Sequence, residues 1–148
     1  LYDNNSDVST NGNSALHLAA KSGNLDCVKF LLESGINVNC KNDDGETPLM
    51  WAIIDGSELV AEYLLKHGAD INMKDERGNS LLHQAFFYRD NANLVNLLLN
   101  SGLDIESKNK NGETALINSF SRGATKVREL LIQRGAKFDT LDVNGKGG

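Results

Sequence analysis

The stretch DGETPLMWAIIDGSELVAEYLLKHGADIN, residues 44–72, decides how the chain folds, because it recurs. It matches NGNSALHLAAKSGNLDCVKFLLESGINVN at 11–39, RGNSLLHQAFFYRDNANLVNLLLNSGLDIE at 77–106 and NGETALINSFSRGATKVRELLIQRGAKFD at 111–139. Glycines keep the beat: Gly12, Gly45, Gly78, Gly112 and Gly145 lie 33, 33, 34 and 33 residues apart, and Gly35, Gly68, Gly102 and Gly135 hold the same rhythm. Self-similarity at such a period is the mark of a repeat architecture.

One copy can be read residue by residue. Ser14, Thr47, Ser80 and Thr114 offer a hydroxyl at a helix N-cap, and Pro48 follows Thr47 at the first helical position, where its missing N–H costs nothing. Gly23, Gly56 and Gly123, eleven residues after the turn glycine in three of the four copies, are expected to end this first helix. A second helix then carries apolar residues at helical spacing, as in Leu25, Val28, Leu31 and Leu32, or Leu59, Leu64 and Leu65. Gly35 and its equivalents suit the left-handed position just past that helix, and the segments INVNCKNDDG, ADINMKDERG and LDIESKNKNG read as extended, then turn-like. Helices this short fall below the ~12–15 residues that are marginal alone in water, so each copy must stack on its neighbours. The expected fold is an all-α repeat solenoid, each copy a helix-turn-helix with a projecting β-hairpin loop. It places a flank at 1–11, copies at 12–44, 45–77, 78–111 and 112–139, and the start of a truncated fifth copy or a tail at 140–148.

The segments GETPLMWA, NSALHLAA, LLKHGADIN and LLESGINVN resemble the ankyrin repeat, and the resemblance covers about 130 of the 148 residues. Its Thr-Pro-Leu-His signature is complete in no copy, reading Ser-Ala-Leu-His, Thr-Pro-Leu-Met, Ser-Leu-Leu-His and Thr-Ala-Leu-Ile. The third copy also departs at AFFYRD, residues 85–90, where AAKSG stands in the first: one residue is added and the closing glycine is missing.

Composition narrows the function classes. Hydrophobic residues make up 40% and charged ones 24%, and no apolar run approaches the ~20 residues needed to cross a bilayer. Net charge is −5, split between −9 over residues 1–107 and +4 over 108–148, a polarity that argues against wrapping a nucleic acid backbone. Cys27 and Cys40 form no visible disulfide framework, which fits a reducing compartment, cytoplasm or nucleus. A start at Leu1 and an end in NGKGG suggest a piece of a longer chain, and the module is expected to be monomeric.

Chemistry is sparse. His17 and His83 share one repeat position, and the resemblance implies an imidazole that ties the turn together by hydrogen bonds; His67 reads as surface. Cys27 is expected to be a small buried hydrophobe, and no histidine or cysteine pair has metal-ligand spacing. Asp43-Asp44 and Asp75-Glu76 sit on loop tips, where nothing dries a carboxylate for acid–base work. The chain therefore reads as non-enzymatic, with no cofactor. Asn39 and Asn72 are assigned to hydrogen bonding within the loops.

Resemblance to ankyrin arrays implies a concave face of first helices and loops that binds another protein or a peptide segment. The positions carried over are Asn13, Lys21 and Ser22; Glu46, Ile54 and Asp55; Asn79, Phe87 and Tyr88; and Glu113, Ser121 and Arg122. Loop tips add Asp43, Asp44, Glu76, Arg77, Lys110 and Asn111. The expected centre is Ile54, Phe87 and Tyr88, bordered by Trp51 and flanked by Asp55, Arg89 and Arg122, because interface hot spots favour aromatic residues and arginine within a polar rim. Phe86 and Phe120 are assigned to the core. An alternative is a substrate-recruiting domain of a larger enzyme or secreted effector.

Overall fold

A computed structural model of the chain describes residues 14–137. Asn13, the 1–11 flank and the 140–148 segment lie outside the described residues. The described residues fold as four helix pairs divided between two compact units, 14–73 and 74–137. The first unit holds α1 (Ala15–Ser22), α2 (Leu25–Glu33), α3 (Pro48–Asp55) and α4 (Glu58–Lys66). The second holds α5 (Leu81–Gln84), α6 (Ala92–Asn100), α7 (Ala115–Arg122) and α8 (Thr125–Gln133). In each unit the first helices pack on each other and the second helices do likewise: α1 on α3 and α2 on α4, then α5 on α7 and α6 on α8.

The helices start where a hydroxyl caps them. Ser14 accepts from the His17 N–H, Thr47 from Met50 and Thr114 from Ile117, with Pro48 opening α3. They stop where the chain turns left-handed. At Gly123, φ is +67°, and the Gly123 and Ala124 N–H groups donate back to the Phe120 and Ser119 carbonyls. The third copy has no such glycine: α5 ends at Gln84 after only four residues, and Ala85–Asp90 run on outside any helix.

The core is the leucine line the repeat pattern requires. Leu16, Leu49, Leu82 and Leu116, one per copy, are all buried, as are Leu64, Leu98 and Leu131 of the second helices. Phe86 is buried too, as expected. Three expectations fail. Phe120 is 46% exposed, although its equivalents Ala20, Ile53 and Phe86 are buried, because it belongs to the last described copy and no described helix follows α8. Cys27 is exposed while its equivalents Val60, Leu94 and Val127 are buried, because its copy is the first described. Leu59 is 69% exposed, since the buried line of α4 runs through Val60, Ala61 and Leu64 instead.

The projecting loops contain no strand among the described residues, only one isolated antiparallel bridge between Lys74 and Ser80. Side chains do much of the work of a ladder. Asn42 Oδ1 accepts from the Asp44 and Glu46 N–H groups, Asp75 Oδ1 from Arg77 and Asn79, and Asn109 Oδ1 from Asn111 and Glu113. A single acceptor thus closes each turn from inside.

Candidate functional site

The scaffold of the site is a pair of buried imidazoles. His17 Nε2 donates to the Glu46 carbonyl at 2.7 Å, and His83 Nε2 donates to the Glu113 carbonyl at 2.8 Å. A carbonyl only accepts, so Nε2 carries the proton in both rings. Each Nδ1 then accepts the N–H of its own N-cap residue, Ser14 or Ser80, at 3.1 Å. Each ring therefore fastens the first helix of one copy to the turn of the next. Burial lowers both histidine pKa values, an effect partly opposed by the bonds to Glu46 and Glu113. Copies two and four carry Met50 and Ile117 at this position, which have no ring nitrogen to donate. The clasps thus join copy one to two and copy three to four, the same pairs that make up the two units.

Glu46 and Glu113 are correspondingly occupied within the fold. Glu46 Oε1 accepts from Asn42 Nδ2 at 2.9 Å and Trp51 Nε1 at 3.0 Å. Glu113 Oε1 accepts from Asn109 and Asn118, and these two side-chain bonds hold its pKa down.

In the first unit, half-buried Trp51 stands edge-on to His17 with centroids 5.4 Å apart, and the Lys21 ammonium lies 5.6 Å from its ring centroid. Lys21, Trp51, Ile54 and Asp55 line a small cavity of about 110 Å³. Asp43 and Asp44 are exposed on the neighbouring turn, away from that cavity's lining. Asn39 ties the loops of copies one and two, its Nδ2 donating to the Gly68 carbonyl and its Oδ1 accepting from Asp70.

The second unit carries a cavity of about 340 Å³, which gathers Phe87, Tyr88, Arg89, Ser121 and Arg122 in its lining. The Phe87 and Tyr88 rings meet edge to face, 5.0 Å apart at 87°. The Arg122 guanidinium sits 4.2 Å from the Phe87 ring centroid, and its Nη1 donates to the Phe87 carbonyl at 3.2 Å. Phe87 is half-buried, whereas Tyr88 is 72% exposed. Exposed Glu76, Arg77 and Lys110 lie instead on the loop tips, where the Lys110 N–H donates to the Arg77 carbonyl at 3.0 Å. The residues chosen from sequence therefore fall into separate groups within each unit.

Asp90 was missed. Its two carboxylate oxygens accept the N–H groups of Lys126 and Val127, at 2.8 and 2.9 Å, in the first turn of α8. The N-cap of α8 is Ala124, which has no side chain for the task, whereas Asn24 and Asn91 cap α2 and α6 themselves. The signal was present in the sequence: an alanine at a cap position in copy four, and an aspartate where copy three lacks its glycine.

Among the described residues no helix is long and apolar enough to cross a membrane, and no group of three His, Cys, Asp or Glu side chains could hold a metal ion. Both nitrogens of His17 are engaged, and Cys40 Sγ lies 3.3 Å from Ser14 Oγ. What the site offers chemically is aromatic surface, cations and hydrogen-bond donors.

The chain resembles known proteins along most of its length. A family model for ankyrin repeats in three copies matches residues 1–75. The B-cell lymphoma 3 protein of Homo sapiens is 34% identical over 139 residues, 89% of this chain and 31% of its own length. Ankyrin repeat protein OPG189 of monkeypox virus is 29% identical over 139 residues, 93% of this chain and 24% of its own. The transient receptor potential cation channel subfamily A member 1 homolog of Caenorhabditis elegans is 36% identical over 104 residues, 70% of this chain and 8% of its own. The chain thus spans less than a third of the length of each of these relatives. Ankyrin repeats are generally protein–protein interaction modules, and the clasped helix pairs, the 33-residue beat and these matches together show that the chain belongs to the ankyrin repeat family.

Proposed function

We propose that the chain is a non-catalytic protein-interaction module that binds a protein or peptide partner through the exposed aromatic and cationic side chains of its first-helix ends and turns. The observation that carries this reading is Tyr88, left 72% exposed against Phe87 at the mouth of a cavity. A large ring that the fold does not bury, beside arginine, is the composition of an interface hot spot. Trp51 and Ile54 supply a smaller apolar cluster in the first unit. Free thiols at Cys27 and Cys40 support a reducing compartment, cytoplasm or nucleus.

The test is a pull-down with the intact chain and a Phe87→Ala, Tyr88→Ala double variant in parallel. The expected outcome is binding weakened by at least ~2 kcal/mol with helicity retained. A double variant that unfolds while its residual folded fraction binds normally would assign both rings to the fold and remove the site. The short share of each relative that the chain covers fits a domain of a longer protein, and with it a second reading, a substrate-recruiting domain of a larger enzyme or secreted effector. In that case the module binds the substrate, and the chemistry lies outside residues 1–148.

A further inference from the structure

Building on the interaction-module reading, we propose that the cavity between the Ala85–Asp90 turn and the α7–α8 turn is a docking site for an acidic peptide segment of a protein partner, and that it takes an aspartate or glutamate side chain. The argument begins with Arg122. Its guanidinium is laid on the Phe87 ring at 4.2 Å and anchored by one bond from Nη1 to the Phe87 carbonyl. A guanidinium carries five N–H donors in a planar fork, so most of the fork remains for an incoming acceptor, and its plane is fixed before the partner arrives. Carboxylate is the acceptor that such a fork matches in two-point geometry.

The cavity's own acid does not compete. Asp90 is the one acidic residue in the lining, and both its oxygens are taken up by the first turn of α8. The helix end that would otherwise attract a free anion is therefore already filled, and the guanidinium presented at the mouth is that of Arg122. At about 340 Å³ the space suits a short length of extended peptide, with the Tyr88 ring, 72% exposed, as a surface for an apolar neighbour of the carboxylate. The charge is local rather than general. Residues 74–137 carry ten basic and seven acidic side chains, and the whole chain is at −5. A nucleic acid backbone demands a run of cations, whereas a carboxylate needs only one such guanidinium fork.

The test uses the ¹⁵N-labelled 148-residue chain titrated with three short peptides that alternate phenylalanine with glutamate, glutamine or lysine, and with a thymidine oligonucleotide. The expected result is that only the glutamate peptide moves the amide resonances of residues 85–90 and 121–124. Arg122→Gln should weaken that binding by about tenfold or more, Arg122→Lys by less, and Leu59→Ala, at an exposed position of α4, should leave it unchanged. The glutamate–glutamine comparison is made on the unaltered chain, so it decides the matter even where a variant loses structure. Equal binding of those two peptides, tighter binding of the oligonucleotide, or no response at 85–90 overturns the proposal. Peptide-induced shifts confined to Trp51 and Ile54 overturn this site while sustaining the interaction-module reading, whose own failure is read separately in the pull-down.

Discussion

The turn between α1 and α2 needs one glycine; the turn between α5 and α6 needs a partner in another copy. In copy one, Gly23 takes φ +73°, returns its N–H to Ala20, and hands the chain to Asn24, which caps α2 from its own side chain. In copy three the helix stops at Gln84, six residues run outside it, and Asp90 stands where the glycine would be. That aspartate caps α8 across 36 positions of sequence, and Phe87 receives Arg122 across 35. Local closure leaves a turn self-sufficient, whereas closure from a distance converts a turn into a fastening between repeats. The histidine clasps follow the second plan.

The hardest blow to that contrast is His83→Ala. It removes a buried ring, leaves the Glu113 carbonyl with the Asn109 N–H alone and leaves the Ser80 N–H without its partner, so a loss of about 3 kcal/mol in urea denaturation is expected. A loss below about 1 kcal/mol would mean the clasp is incidental. Gly78→Ala and Gly112→Ala separate backbone conformation from contact between neighbouring turns. Both glycines sit at φ +77°, but a Cβ at Gly78 would lie 2.9 Å from the Lys110 nitrogen, whereas at Gly112 nothing lies within 4 Å. About 1–2 kcal/mol is expected at Gly112 and clearly more at Gly78; equal values would show that the approach of Lys110 carries no energy. Asp90→Ala should cost about 1–2 kcal/mol and show as faster amide exchange in the first turn of α8, while Asn24→Ala should speed exchange only in α2. Exchange that changes in α6 instead would place the effect of Asp90 in its own copy.

The smallest effect is that of pH. Burial sets the folded pKa values of His17 and His83 below the ordinary 6.5, so the unfolded chain binds more protons just beneath that pH. Stability should be full above about 6.5 and decline as pH falls toward the folded values. Glu113, whose folded pKa is also lowered, extends the loss into the carboxylate range. His83→Gln should flatten the upper part of this profile when thermal midpoints are compared between about pH 7.5 and 5; an unchanged slope would assign the dependence to other groups.

Much of the fold was legible because its determinants are local. A glycine that must turn left-handed, a hydroxyl at a cap and a leucine at a fixed offset each act within a few residues of chain. Phe86 could be placed for the same reason, since its neighbours in the pattern are buried alanine and isoleucine. Cys27 and Phe120 misled because the pattern assumes a copy on both sides of every copy, and among the described residues theirs have one side only. Asp90 was only faintly legible, for a different reason. Its partners are backbone N–H groups, which have no letter in a sequence, and only the alanine at the α8 cap hinted that something must come from elsewhere. The loop tips misled by half: Asn42, Asp75 and Asn109 close the turns as single acceptors, so the predicted hairpins have little need of strands.

The backbone bond from Lys110 to Arg77 fixes how far apart two exposed cations are rooted before anything approaches them. A partner that reads both meets a gauge of set spacing, so the ordering entropy of such an encounter falls on two side chains, about 2 kcal/mol each at most, and not on the loops that carry them.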